Sequence, residues 1–197
     1  QVVNATTSAQ YFHVLRRQMH RDVRKPLVIF TPKSLLRSPD AYSDISEFTS
    51  GSFAETIDDP AWTSGERDRG DVTTVLLSSG KVSYDLMRER DERELDVPIV
   101  RIEQLYPFPA DQIRDILASY PNAKDVCWVQ EEPENMGAWG FLDGRLWNLL
   151  EELGDDRQLR QASRIPSASP AAGQHVVHLQ EHEQLMDDAL DPVSSAS

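Results

Sequence analysis

The protein has 197 residues, 39% of them hydrophobic and 27% charged, with a formal net charge of -13. That length accommodates one well-buried domain plus an appendage. No apolar run approaches the roughly 20 residues of a membrane span, and the acidity excludes generic affinity for nucleic acid, whose phosphates are bound by clustered Lys and Arg. The single cysteine, Cys127, excludes a disulfide framework and suits a reducing cytoplasm. The N-terminus has neither a secretory signal nor an initiator Met, so the chain is expected to start inside a longer protein.

Thr6 or Thr7 can cap a helix over 8–20, with Tyr11, Val14, Leu15 and Met19 on one face. A short apolar strand, Leu27 to Phe30, follows between Pro26 and Pro32. Residues 33–70 turn polar and read as a surface linker with brief helical turns near Asp44 to Phe48 and an exposed loop from Asp58 to Asp71. From Val72 a βα alternation sets in, with strands over 72–77, 97–102, 125–129 and 159–163 and helices over 82–92, 110–120, 138–153 and 177–190. Such alternation predicts an α/β fold with a mainly parallel sheet and helices on both faces. The domain reading is therefore 1–32, a 33–70 linker, 71–190, and a small polar tail over 191–197.

Gln130-Glu131-Glu132-Pro133-Glu134-Asn135-Met136-Gly137 directly follows the apolar run Val126 to Val129. Ligands of open α/β sheets sit beyond the carboxyl ends of the strands, which places Glu131, Glu132, Asn135 and Met136 where chemistry or subunit contact occurs; the alternative is a solvated acidic loop. Ser78-Ser79-Gly80-Lys81 lies between a strand and a helix, where free N–H groups favour an anion, yet it is no P-loop, and Gly80 also suits a tight βα turn.

Charge is segregated. Between His13 and Arg37 seven cations face the single anion Asp22, a local +6 in an acidic chain. Lys33 and Arg37 are four apart with Ser34 between them, a spacing that can hold a phosphate if the segment is helical. The alternatives are a solvated face and a turn anchored on the core by Leu35 and Leu36. His175, His178 and His182 fall near one helix face, but His175 is expected to precede the helix, no His-Glu-x-x-His order is present, and no metal site is expected. His13, between Phe12 and Val14, reads as a core or interface histidine. No elbow or Cys-His pairing suggests a nucleophile.

Six ordered blocks extend these features across nearly the whole chain. They are Thr6 to Arg17, Lys25 to Arg37, Leu77 to Leu86, Arg101 to Pro109, Gln130 to Trp139 and Arg164 to Gly173. Together they resemble the 2-oxoglutarate dehydrogenase E1 family. The resemblance implies a homodimeric enzyme using thiamine diphosphate and magnesium, which decarboxylates 2-oxoglutarate and passes a succinyl group to a lipoyl-bearing E2 succinyltransferase.

It implies that residues 1–32 end a pyrimidine-binding domain and that 71–190 form a transketolase-type C-terminal domain, which supports the dimer and edges the active-site entrance. The Gly-Asp-Gly…Asn motif and the activating glutamate of the family are missing, so no catalytic residue is expected here and the segment is expected to be inactive alone. Some bacterial members respond to acetyl-CoA, for which Arg16, Arg17, Arg24, Lys33, Ser34, Arg37 and Lys81 are the candidate ligands. Two competing readings stay open: a free-standing acyl-CoA or nucleotide-binding module, and a dimerisation scaffold without ligand.

Overall fold

In the computed structural model of the protein, which describes residues 1–154 and 156–191, the chain opens with a βαβ crossover. Strand β1 (Val2–Val3) leads through helix α1 (Ser8–His20) to β2 (Val28–Ile29), and the two strands pair in parallel. Thr7 starts the helix because its hydroxyl accepts from the Gln10 N–H. Ala9, His13 and Val14 form the buried face of α1, and Val3, Val14 and Phe53 make a small core with Leu27 and Ile29. Two 3-10 turns follow at Leu35–Arg37 and Pro39–Ala41. Helix α2 (Ile45–Thr49) begins where the Glu47 carboxylate accepts from the Asp44 N–H.

The main body is a five-stranded sheet. Strand β3 (Thr56–Ile57) enters its edge, and after α3 (Pro60–Thr63) come β4 (Thr74–Ser78), α4 (Val82–Glu92) and β5 (Ile99–Ile102). Strand β6 (Gln104–Tyr106) then leaves this sheet to pair antiparallel with β1. Helix α5 (Ala110–Ala118), β7 (Asp125–Pro133), α6 (Trp139–Leu153), β8 (Gln158–Arg164) and α7 (His175–Leu190) complete the order. The sheet runs β3-β5-β4-β7-β8, parallel except for β3. The expected α/β class, with a mainly parallel sheet between helices like a transketolase-type C-terminal domain, is what the chain adopts.

Alternation along the strands divides the core. Val75, Leu77, Val126 and Trp128 face α5 and α6, meeting Ile113, Leu117, Leu142 and Leu146. Leu76, Cys127 and Val129 face the other way, toward Leu86 of α4 and Leu185 and Met186 of α7. A period of two turns successive side chains to opposite faces, so the middles of β4 and β7, Val75 to Leu77 and Val126 to Val129, are apolar without a break.

Three expectations are corrected. The stretch 58–71 is an exposed loop only in part: residues 63–66 are exposed, but Trp62 is 3% and Asp59 1% exposed, because Asp59 accepts from Arg90 and from the Ile99 N–H and caps α3. His175 is the first residue of α7 rather than a residue before it. Strand β7 runs four residues past Val129, to Pro133, with a register shift against β8 between those residues. Of the expected tail, residues 192–197 lie outside the described residues.

Candidate functional site

At the carboxyl ends of β4 and β7 lies a cavity of about 830 Å³. It is lined from both parts of the chain: Val2, Asn4, Thr31 and Pro32 come from the crossover unit, while Lys81, Glu131, Glu132 and Met136 come from the large sheet. Of the four expected strand-end residues it brings together three. Asn135 instead ties the 165–174 connection down, its side chain both donating to the Ser167 carbonyl and accepting from the Ser167 N–H at 3.0 Å.

Gln130 builds the turn. It is 3% exposed, and its carbonyl oxygen accepts from the Trp128 indole at 2.9 Å and from the Trp139 N–H at 3.0 Å. Its amide donates to the carbonyls of Pro133 and Met136 at 3.1 and 2.8 Å. Gly137 closes over this side chain with φ of 68°, and a Cβ there would fall 2.9 Å from the Gln130 amide. Four bonds from one buried side chain hold the strand bulge and the start of α6 in one geometry.

Lys81 joins two stretches that the sequence presents separately. Its ammonium donates to Asp85 at 2.7 Å and pairs with Glu131 at 2.9 Å. Burial works against its charge, but the bonds to Asp85 and Glu131 outweigh it and hold the ammonium above the ordinary lysine value. Glu132 has no ion-pair partner among the described residues; the residue is exposed, yet the protein atoms around its carboxyl partly desolvate it and, with Glu131 adding to this, hold it above the usual carboxylate range. In the turn before Lys81, Gly80 has φ of 79°, and a Cβ would fall 2.3 Å from the Asn4 side-chain nitrogen. This glycine answers to a close approach as well as to a tight turn.

The basic block is dispersed. Arg17 is held by Glu55 at 2.9 Å, Gln1 at 2.8 Å and Gln104 at 2.6 Å, with its guanidinium 4.3 Å from the Phe53 ring centroid. Arg16 donates to the Gly51 carbonyl at 2.6 Å. Arg17 and Lys81, expected as effector ligands, are thus bound by internal partners, Arg17 by residues far along the chain and Lys81 by Asp85 of α4 and Glu131 of β7. Arg24, Lys33, Ser34 and Arg37 are exposed. Lys33 to Arg37 is not α-helical: the 3-10 turn spans Leu35–Arg37, so the four-residue spacing does not stack as it would in an α-helix. A second cavity, of about 350 Å³, lies beside this segment and is lined by Thr7, Tyr11, Pro32, Leu35, Leu36 and Tyr42 among others.

Cys127 is buried, and its thiol is pushed up to about 12 by burial, which removes it as a nucleophile. His13 is 4% exposed, with Nε2 2.7 Å from the Glu47 carbonyl. His175, His178 and His182 have ring centroids 6.4 and 6.3 Å apart in succession, and among the described residues no group of three His, Cys, Asp or Glu is placed to hold a metal ion.

Sequence reasoning missed a buried seam. Glu103 is fully buried and accepts from the Thr6 N–H at 2.8 Å, from the Thr6 hydroxyl and from the Gln10 amide at 3.4 Å. Arg101 donates to the Thr6 hydroxyl at 2.9 Å. The only signal available in the sequence was a charged pair, Arg101 and Glu103, flanking the apolar Ile102.

Residues 42–190 match the family described as 2-oxoglutarate dehydrogenase C-terminal. The chain is similar to the 2-oxoglutarate dehydrogenase E1 component of Cupriavidus necator, 45% identical over 191 residues that make up 96% of this chain and 19% of that protein. Similarity to the E1 component of Geobacillus kaustophilus is 45% over 194 residues, 96% of this chain and 20% of that protein. The protein named 2-oxoglutarate dehydrogenase, mitochondrial, of Schizosaccharomyces pombe is 42% identical over 192 residues, again 96% of this chain and 19% of the relative. The chain spans about a fifth of the length of these relatives.

Proposed function

The chain belongs to the 2-oxoglutarate dehydrogenase C-terminal family, and from that premise we propose that it serves a homodimeric E1 enzyme that decarboxylates 2-oxoglutarate and passes the succinyl group to the lipoyl arm of an E2 succinyltransferase. The observation that carries this reading is similarity over 96% of the chain to proteins named as E1 components. We assign the bond-breaking chemistry to the remaining four-fifths of such a polypeptide. Thiamine diphosphate, with magnesium, would supply the electron sink there.

The residues of this chain do not fit that pair. The sequence has no Gly-Asp-Gly stretch, and Glu131 and Glu132 line the large cavity where a diphosphate needs cations. Its part in the enzyme is instead to shape one wall of the active-site entrance and the dimer contact, with Gln130 fixing the turn and Lys81 fixing Glu131. A reducing compartment such as the cytoplasm suits the free Cys127, and no helix among the described residues is long and apolar enough to cross a membrane.

Acetyl-CoA is the effector we propose for the exposed remainder of the basic block, Arg24, Lys33, Ser34 and Arg37, with Arg16 at its margin. Its phosphates would meet those cations, and the neighbouring small cavity offers two tyrosine rings and two leucines to the apolar parts. The central reading is tested by CO₂ release from 2-oxoglutarate by the parent polypeptide with and without residues 71–190. Loss of turnover on deletion supports it, and a deleted enzyme that turns over normally overturns it.

A further inference from the structure

Helix α7 carries a ladder of imidazoles that nothing else in the fold uses. His175, His178 and His182 are three and then four residues apart, spacings that put side chains on one helix face. Their ring centroids stand 6.4 and 6.3 Å apart in succession, with the planes tilted by 31° and 36°. His175 and His178 are exposed and His182 is half-buried. Among the described residues no hydrogen bond or ion pair engages their ring nitrogens, whereas His13 is held at the Glu47 carbonyl. The carboxylate beside the ladder, Glu181, is taken by Arg164 at 2.6 Å, which leaves the imidazoles as the available donors.

The same turns are the least supported part of the helix. Residues 175–180 are exposed, while Leu185, Met186, Ala189 and Leu190 further along are buried. Imidazoles four apart on a helix are ligands for a divalent transition metal, and the net charge of -13 favours a cation over an anion. Zn–N bonds of about 2.0–2.1 Å put rings that share a tetrahedral ion about 5 Å apart between centroids, a distance that exposed His178 reaches by turning about its own side-chain bonds.

We propose that His178 and His182 form a two-imidazole clamp for a divalent transition metal ion, with water in its remaining positions. His175 stands outside the clamp because it is the first residue of α7, where unpaired backbone N–H groups carry positive partial charge that opposes a dication. The clamp uses no third protein ligand, and among the described residues no group of three is placed to hold a metal ion. Bridging successive turns fastens the exposed start of α7 in its helical form, because the two imidazoles converge only there.

The 197-residue protein is titrated with ZnCl₂ while the imidazole Cε1–H resonances and the thermal transition are followed. One equivalent should bind with a Kd below about 1 mM, shifting the His178 and His182 resonances and raising the transition temperature, whereas MgCl₂ at about 10 mM should do neither. His178→Asn and His182→Asn should each weaken Zn²⁺ binding about tenfold or more, and His175→Asn by less than about twofold. Amide exchange across residues 175–182 should slow with Zn²⁺ in the wild type and not in His178→Asn. No saturation by about 1 mM Zn²⁺, an equal response to Mg²⁺, or a loss on His175→Asn equal to that on His182→Asn overturns the clamp. The readouts involve no turnover, so each of these results leaves the E1 reading untouched.

Discussion

The Thr6 N–H donates to the Glu103 carboxylate at 2.8 Å across a sequence separation of 97 residues, and the Thr6 hydroxyl donates to the same group. Tyr84 completes the arrangement by donating to the Thr6 carbonyl at 2.9 Å. One threonine thereby fastens the crossover unit to the large sheet, and with it the two halves of the large cavity's wall.

Glu103→Ala leaves two Thr6 donors and the Gln10 amide without their acceptor in a buried place. A cost of about 3 kcal/mol follows, measurable by urea unfolding. Burial, only partly offset by Arg101 and the Thr6 donors, raises the Glu103 pKa above 4.5. A raised folded pKa means that the folded state binds the extra proton, so this contribution is full below the unfolded value and is lost as pH rises through the folded one. Wild type should lose stability relative to Glu103→Gln as pH rises from about 4 toward neutrality. A constant difference over that range contradicts the assignment.

Asp59 and Arg90 form an ion pair whose side chains are 1% and 5% exposed. Asp59→Ala leaves the guanidinium with Asp91 alone, takes the acceptor from the Ile99 N–H and removes the α3 cap, so it should cost about 3–5 kcal/mol by chemical denaturation. A loss under about 1 kcal/mol would place this pair with ordinary surface bridges.

Gly80→Ala meets both a left-handed backbone and the Asn4 side chain. Truncating Asn4 to Ala in the same chain should recover the steric part and leave about 1 kcal/mol of backbone strain. Strict additivity of the two substitutions in thermal unfolding would show that the approach is not a contact.

Much of the fold was legible because it is periodic. The expected spans 8–20 and 82–92 coincide with α1 and α4, because the Thr7 cap of α1 and the apolar spacing of both helices are local properties. Strands β1, β3 and β6 were not, since two or three residues carry no period and their partners lie far along the chain. The burial of Asp59 was hidden for the same reason: Arg90 and Ile99 are 31 and 40 residues away. At the site, the strand-end position of Glu131 and Glu132 could be read from the apolar run before them. The engagement of Arg17 and the pairing of Lys81 with Glu131 could not, because those partners come from other elements, and a local charge count treats every cation as free.

The exposed cations make a separate prediction. Lys33→Ala and Arg37→Ala should each raise the half-saturating acetyl-CoA concentration of the parent enzyme about tenfold. Arg17→Ala should instead lower stability, through Glu55 and Gln104. No response of the parent to millimolar acetyl-CoA removes the effector assignment.

The most direct measurement pairs sedimentation with turnover for the parent enzyme carrying Glu131→Lys and Glu132→Lys together. These residues line a cavity where the sheet ends, and reversing their charge places two repelling groups at the proposed entrance and subunit contact. The account predicts that dimer mass and 2-oxoglutarate turnover both fall while circular dichroism stays native. Unchanged sedimentation and unchanged turnover would contradict it and return the strand end to a solvated acidic loop.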